Sequence, residues 1–297
     1  MDMIVSSISQ GLLWSVMAIG VYITYRLLDI ADLTAEGSFP LGAAICASVL
    51  VNGGHPLLAT CLGMLGGMIA GAISGFIHTK MKIPALLTGI ITLTGLYTIN
   101  LKILGKANVA LLKQETLVTQ VQSLGLDKSF AVIVIGLIFV GVMSTFVTLF
   151  MKTEIGFGFL ATGDNVPMSE ANGINVSAMK ILGYMLSNGL IALSGALLTQ
   201  NNGFADLNMG VGTIVIGLAS IIIAEVMIKN LSLGWRFASV ILGSIVYRLI
   251  IVFVLEIPGM DTQMVKLVSA ILLAVILYVP EVQKALKIKP RISKEKA

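Results

Sequence analysis

Residues 152–180 read KTEIGFGFLATGDNVPMSEANGINVSAMK, a polar stretch between two long apolar runs near the middle of a 297-residue chain. It is too polar for the hydrocarbon of a bilayer and too short to form a domain. Asp164 or Asn165 can cap a short helix, Pro167 suits its first turn and Gly173 its end. Asn175 can then cap a second helix that begins at Val176 and runs into apolar sequence. The spacing predicts a short helix lying across the base of a longer one. A bland connector does not need that much punctuation; a structured loop with no partner is the alternative.

Outward from this stretch the chain is apolar. It is 57% hydrophobic and 11% charged, and its mean hydropathy is +0.98. Its apolar residues fall in continuous runs of bilayer-spanning length, which argues for helices and against the alternating strands of a β-barrel. The expected fold class is therefore all-α, a polytopic transmembrane bundle of about nine membrane segments. These are read as 8–28, a short run to Val51, 57–79, 84–104, 129–151, 176–200, 213–228, 236–255 and 265–279. The membrane domain covers 1–280, with 105–128 as an outer loop holding an amphipathic helix around 111–121. Residues 281–297 form a basic cytoplasmic tail with six Lys or Arg against two Glu. The start lacks the positive n-region of a cleaved signal peptide.

Charge orients the scheme. Arg26, Lys80, Lys82, Lys152, Lys180, Lys229, Arg236 and the tail fall on one side; Lys102, Lys106, Lys113, Lys128 and Lys266 fall on the other. The richer side is cytoplasmic, so the amino terminus is outside and 152–180 inside. The formal charge of +4 comes largely from the tail and needs no nucleic-acid partner. Trp14 and Trp235 fit the interfacial aromatic belts.

Two interruptions stand out. Ala31-Asp32-Leu33 follows the first span and Ala205-Asp206-Leu207 follows the sixth, each ahead of a short Gly-bounded apolar run, with helix starts expected near Thr34 and Met209. In this topology the copies face opposite sides, as in an inverted repeat whose broken helices mark a translocation pathway. A chance match is the alternative. Asp32, Glu36, Asn202, Asp206 and Asn208 are the candidate pathway residues, with Phe39 and Phe204 as apolar gates. Each is equally a helix cap or loop residue. Arg248, well inside the eighth span, must pair, snorkel or face water; Glu225 is its candidate mate, although depth counting puts Glu225 nearer the inside.

Enzyme chemistry finds little support. There is no paired-carboxylate, Ser/His/Asp or thiol/histidine set, and no glycine spacing of a phosphate-binding loop. His55 and His78 read as interface histidines, and Cys46 and Cys61 as small buried hydrophobes.

The stretch MSEANGINVSAMKILGYMLSNGLIALSGALL resembles the loop by which permease subunits of bacterial ABC importers dock their ATPase, in the branch that includes branched-chain amino acid and ribose permeases. Leu193-Ser194-Gly195-Ala196-Leu197 and Asp29-Ile30-Ala31-Asp32-Leu33-Thr34 carry the likeness further, over about residues 8–280. The resemblance implies a non-catalytic subunit in a bacterial inner or plasma membrane. It implies a second copy of the chain, two cytoplasmic ATPase subunits and an extracytoplasmic solute-binding protein. No cofactor is expected on this chain; ATP and magnesium belong to the ATPase. The docking positions it implies are Glu170, Ala171, Asn172, Gly173, Ile174, Asn175 and Lys180. Ribose-like members carry another helix before the first span seen here, so their helix count does not transfer. The chain looks most like small uncharacterised importers, for which aromatic amino acids such as tryptophan or tyrosine are the implied cargo. Branched-chain amino acids, sugars and nucleosides are handled elsewhere in the family. A secondary transporter or facilitator without an ATPase is the alternative function.

Overall fold

The chain is built around α9 (Val176–Asn202), a helix buried over most of its length. The computed structural model describes residues 2–112, 114–228, 233–255, 264, 267–275 and 278. Around α9 pack α1 (Asp2–Tyr22), α2 (Ala35–Val51) and α3 (Pro56–Thr79). Farther out lie α4 (Ala85–Leu104), α6 (Lys128–Met151), α10 (Thr213–Met227) and α11 (Leu233–Leu255). Among the described residues seven helices are long and apolar enough to cross a membrane, and α2 is a shorter apolar one. Residues 267–275 of the ninth predicted segment are helical. The tail lies outside the described residues.

Small residues explain the close packing. A Cβ on Gly42 of α2 would land on the carbonyl of Ala192, and one on Gly71 of α3 on the carbonyl of Tyr184. Backbones can approach this closely only where side chains are absent. The opposite face of α3 presents Leu58, Leu62, Leu65, Ile69, Ile73 and Phe76, all exposed. Such a stripe belongs against lipid. Cys46 is buried as expected, whereas Cys61 is exposed. Trp14 stacks on buried Phe39, with ring centroids 5.3 Å apart.

The two interruptions obey one geometry. α1 closes through a wider π turn, Ile23–Leu27, and Asp29 takes φ 54; α9 ends at Gly203, φ 77. Asp29 and Gly203 hold the same place ahead of their Ala-Asp-Leu triplets. Asp32 Oδ1 then accepts from the Thr34 N–H at 2.9 Å, and Asp206 Oδ1 from the Asn208 N–H at 2.7 Å. Each second carboxylate oxygen takes an asparagine amide, from Asn188 at 2.7 Å and Asn108 at 3.1 Å. α1 and α9 are antiparallel, since Leu13 meets Ser194 and Gly20 meets Ser187. The echo is therefore an inverted one.

Depth follows from the contacts. Ser38 Oγ, one turn into α2, bonds Asn188 Oδ1 at 2.7 Å. Asn188 lies about 18 Å along α9 from its start and about 21 Å from its end. Thus α2 begins near mid-membrane. Gly210, just ahead of α10, abuts the carbonyl of Glu36, so α10 begins at that depth too. Two half-helices meet amino end to amino end, which only protein or a wet cavity can accommodate.

Three expectations change. The region 105–128 contributes β1 (Asn108–Ala110), which pairs antiparallel with β2 (Phe204–Asp206), so a small two-stranded ribbon joins the otherwise helical fold. The predicted helix around 111–121 shortens to α5 (Leu117–Gln122), capped reciprocally by Thr116 and Thr119. The half-helix start expected near Met209 is a 3-10 turn, Leu207–Gly210, and α10 starts only at Thr213 because Gly212, φ 85, first reverses the chain.

Candidate functional site

At the charge-rich end, residues 152–180 form a platform. Thr153 caps α7 (Glu154–Asp164), a helix absent from the sequence reading. Asn165 Oδ1 then accepts from the Met168 N–H at 3.0 Å and starts α8 (Val166–Ala171), with Pro167 in its first turn. Gly173 at φ 79 ends it, and the Ile174 N–H returns to the Ser169 carbonyl at 3.0 Å. Asn175 Oδ1 accepts from the Ala178 N–H at 3.1 Å and starts α9. Every turn signal in this stretch is used as its local chemistry dictates.

The platform's surface is informative. Glu170, Ala171, Asn172, Gly173 and Asn175 are exposed, while Ile174 and Lys180 are half-buried. Met168 is 64% exposed, an apolar side chain on a face that charge places in the cytoplasm. Ser169 is buried and anchors the other side of α8. Only one glycine turn separates α8 from α9.

The second set of candidates does not form one cluster. Asp32 is buried beneath the junction, joined to Asn188, and Thr34 continues a hydroxyl chain to Ser74 and Thr92, each link 2.9 Å. Phe39 is fully buried between α1, α2 and α9, away from any open face. Asp206 holds the outer ribbon. Asn202, Phe204 and Arg248 line a cavity of about 480 Å³ with Gln10, Trp14 and Lys128. Only Glu36 and Asn208 share the groove at the half-helix junction, a space of about 390 Å³.

Arg248 finds a different mate from the one expected. Glu225 pairs with Arg26, 2.7 Å away at the inner end, where both side chains are substantially exposed and the bridge contributes little, at most about 1 kcal/mol. Arg248 Nη2 instead donates to Gln10 Oε1 of α1, and its Nε is buried without a partner among the described residues.

Sequence reasoning missed three groups at the junction. Gly212 donates its N–H to Glu36 Oε1 at 2.9 Å, tying the α10 start to α2. Asn100 of α4, 1% exposed, donates to the Gly37 carbonyl at 3.1 Å. Tyr97 lines the same groove and is 53% exposed. The available signal was a polar stripe, Thr94, Thr98 and Asn100, in an otherwise apolar span. Asn188, which bridges α2 and the Asp32 turn from α9, was likewise passed over.

Asp32 gives a test of the inner turn. Asp32→Ala leaves the Thr34 N–H without an acceptor and takes from the buried Asn188 amide one of its two, the Tyr184 carbonyl remaining at 3.0 Å, a loss of about 1–3 kcal/mol per group left unmade. A fall in the thermal midpoint of the detergent-purified protein is the expected result, larger than for Asp206→Ala, whose partner Asn208 is exposed.

Residues 3–277 match the family described as Branched-chain amino acid transport system / permease component. The chain is 40% identical to a tyrosine transport system permease protein of Clostridioides difficile (strain R20291), over 100% of this chain and 99% of that one. It is 32% identical to an uncharacterized protein of Rickettsia prowazekii (strain Madrid E), over 92% and 96%. To the autoinducer 2 import system permease protein LsrC of Salmonella choleraesuis (strain SC-B67) it is 26% identical, over 76% of this chain and 62% of that one. No solved structure matches.

Proposed function

The chain belongs to the family of branched-chain amino acid transport system permease components, a multi-pass inner-membrane protein of the ABC-importer kind, and from that premise we propose that it moves an amino acid into the cell. Tyrosine is the first candidate, because the 40% identical relative carries that name over nearly its whole length. Two copies of the chain form the translocation unit, each engaging one cytoplasmic ATPase through α8, and an external binding protein delivers the solute. ATP and magnesium act on the ATPase; this chain performs no catalysis.

The observation that carries this reading is the α8 platform. A helix of six residues is marginal alone, yet here it is fixed by asparagine caps at its start and just beyond its end while offering Met168 and Glu170 outward. A rigid helix with an apolar knob and an acid suits a cleft in a partner protein. Closure of the ATPase pair then pulls on Val176 and α9. Because α9 touches both Asp32 and Ser38 through Asn188, its displacement reaches the half-helix junction without an intermediary domain. Glu36 and Asn208 there, with Asn202, Phe204, Asp206 and Arg248 toward the outside, are the proposed pathway residues; Asp32 and Phe39 support it from the packed side.

Proteoliposomes containing the chain, its ATPase and its binding protein test the proposal. Uptake of labelled tyrosine that requires ATP inside the ATPase-facing compartment is the expected result. Uptake that proceeds equally without ATP or ATPase contradicts it.

A further inference from the structure

The groove at the junction has a chemical bias that the pathway assignment does not explain. It is bounded by Glu36, Gly37 and Pro40 of α2, by Leu93, Thr94, Tyr97, Thr98 and Asn100 of α4, and by the 3-10 turn with Val211. Among the described residues no Lys, Arg or His lines it. It does hold a carboxylate, and an ionised carboxylate offers about four acceptor sites. Gly212 uses one of those sites on Glu36.

Asn100 adds a second observation, independent of the first. Its Nδ2 is committed to the Gly37 carbonyl at 3.1 Å, and its Oδ1 is buried with no partner among the described residues. The orientation is fixed chemically, since only the amide NH₂ can face a carbonyl oxygen. A buried acceptor left unmade costs about 1–3 kcal/mol, so its retention beside an acid in an open groove points to a donor that arrives from outside. We propose that this groove binds the ammonium group of the transported amino acid, with Glu36 and Asn100 Oδ1 as its acceptors and Tyr97 against its side chain.

The fit is chemical and dimensional. A primary ammonium carries three N–H donors, and the hydroxyls of Thr94 and Thr98 supply the remaining acceptor. A ring such as Tyr97 favours both a neighbouring cation and a flat apolar side chain. The space of about 390 Å³ lies within the range of small-molecule sites. A carboxylate alone would meet Glu36 with no compensating cation, so acids lacking an amine are rejected by repulsion. The groove sits where both half-helices begin, so any shift of α9 that moves Ser38 or Gly212 alters the position of Glu36. This inference rests on the amino-acid permease reading above.

The experiment uses the full chain in nanodiscs, with Cys61→Ala to remove the exposed thiol and Val211→Cys, at an exposed position lining the groove, as the reporter. The labelling rate by a small methanethiosulfonate is measured with tyrosine, with leucine, and with their deaminated counterparts 4-hydroxyphenylpropionate and 4-methylpentanoate. At least one amino acid is expected to slow labelling, and its deaminated counterpart is not. Glu36→Gln keeps an acceptor for Gly212 but removes the charge, and is expected to raise the half-protecting concentration about tenfold or more. Thr94→Lys, at an exposed position, places a cation beside Glu36 and is expected to do the same without disturbing a buried contact. Equal protection by a deaminated analogue, no protection by either amino acid, or an unchanged half-protecting concentration in folded Thr94→Lys overturns the site. ATP-driven tyrosine uptake without protection removes this site and leaves the importer reading standing. Protection without ATP-dependent uptake does the reverse.

Discussion

Gly71→Leu is expected to leave no folded protein in the membrane, measured as loss of the monodisperse peak when the detergent extract is resolved by size. At this position α3 and α9 touch backbone to backbone, so even a methyl would land on the Tyr184 carbonyl and approach Asn188 Cβ at 3.0 Å. Overpacking a well-filled core costs about 1–3 kcal/mol when side chains can yield. Here a helix backbone would have to yield, and Asn188 is the residue that holds the Asp32 turn and the start of α2. Separating α3 from α9 therefore breaks the inner turn together with the packing. Gly141→Leu is the control, because nothing lies within 4 Å of a Cβ there; it is expected to behave as the parent protein.

The second large effect is functional. Met168→Asp combined with Glu170→Arg is expected to abolish ATP-coupled uptake and to lower ATPase association by about thirtyfold or more, the consequence of losing a contact worth about 2 kcal/mol at the centre of an interface. Both side chains are exposed, so the thermal midpoint should not move. The asparagine caps and the buried Ser169 that fix α8 are untouched. Unchanged ATPase association, measured by copurification in nanodiscs, sinks the docking assignment for α8. Retained association with lost uptake assigns these residues to transmission instead.

What was legible in the sequence was local. Asn165, Pro167, Gly173 and Asn175 act within a few residues of themselves, so their roles could be read directly and the structure places each cap where its spacing predicts. The Ala-Asp-Leu echo was legible as letters, and its geometry goes deeper than its letters. Asp29 and Gly203 share no chemistry, yet both adopt positive φ at the same register, and a non-glycine residue there is a costly choice that letter matching does not register.

Longer-range features were hidden for identifiable reasons. β1 and β2 are three residues each and join segments far apart in the chain, with no alternation long enough to detect. α7 was masked because two glycines, Gly156 and Gly158, weaken its helical propensity, whereas Gly156 is where α7 closes on the backbone of Met151. The mate of Arg248 required knowing that Gln10 of α1 reaches the same depth; Glu225 was nearer in sequence but lay at the wrong end. Asn100 and Tyr97 were overlooked because α4 satisfies the criteria of an ordinary span, and only the half-helix junction beside it turns its polar stripe into a lining.

The central claim is that this chain works as the membrane half of an ATP-driven importer. Affinity purification of the tagged chain from its native membrane, with mass spectrometry of what accompanies it, tests that claim most directly. A soluble ATPase in one-to-one ratio with the chain, lost in the Met168→Asp, Glu170→Arg variant, is the predicted result. A homo-oligomer free of any ATPase under several gentle solubilisation conditions contradicts it.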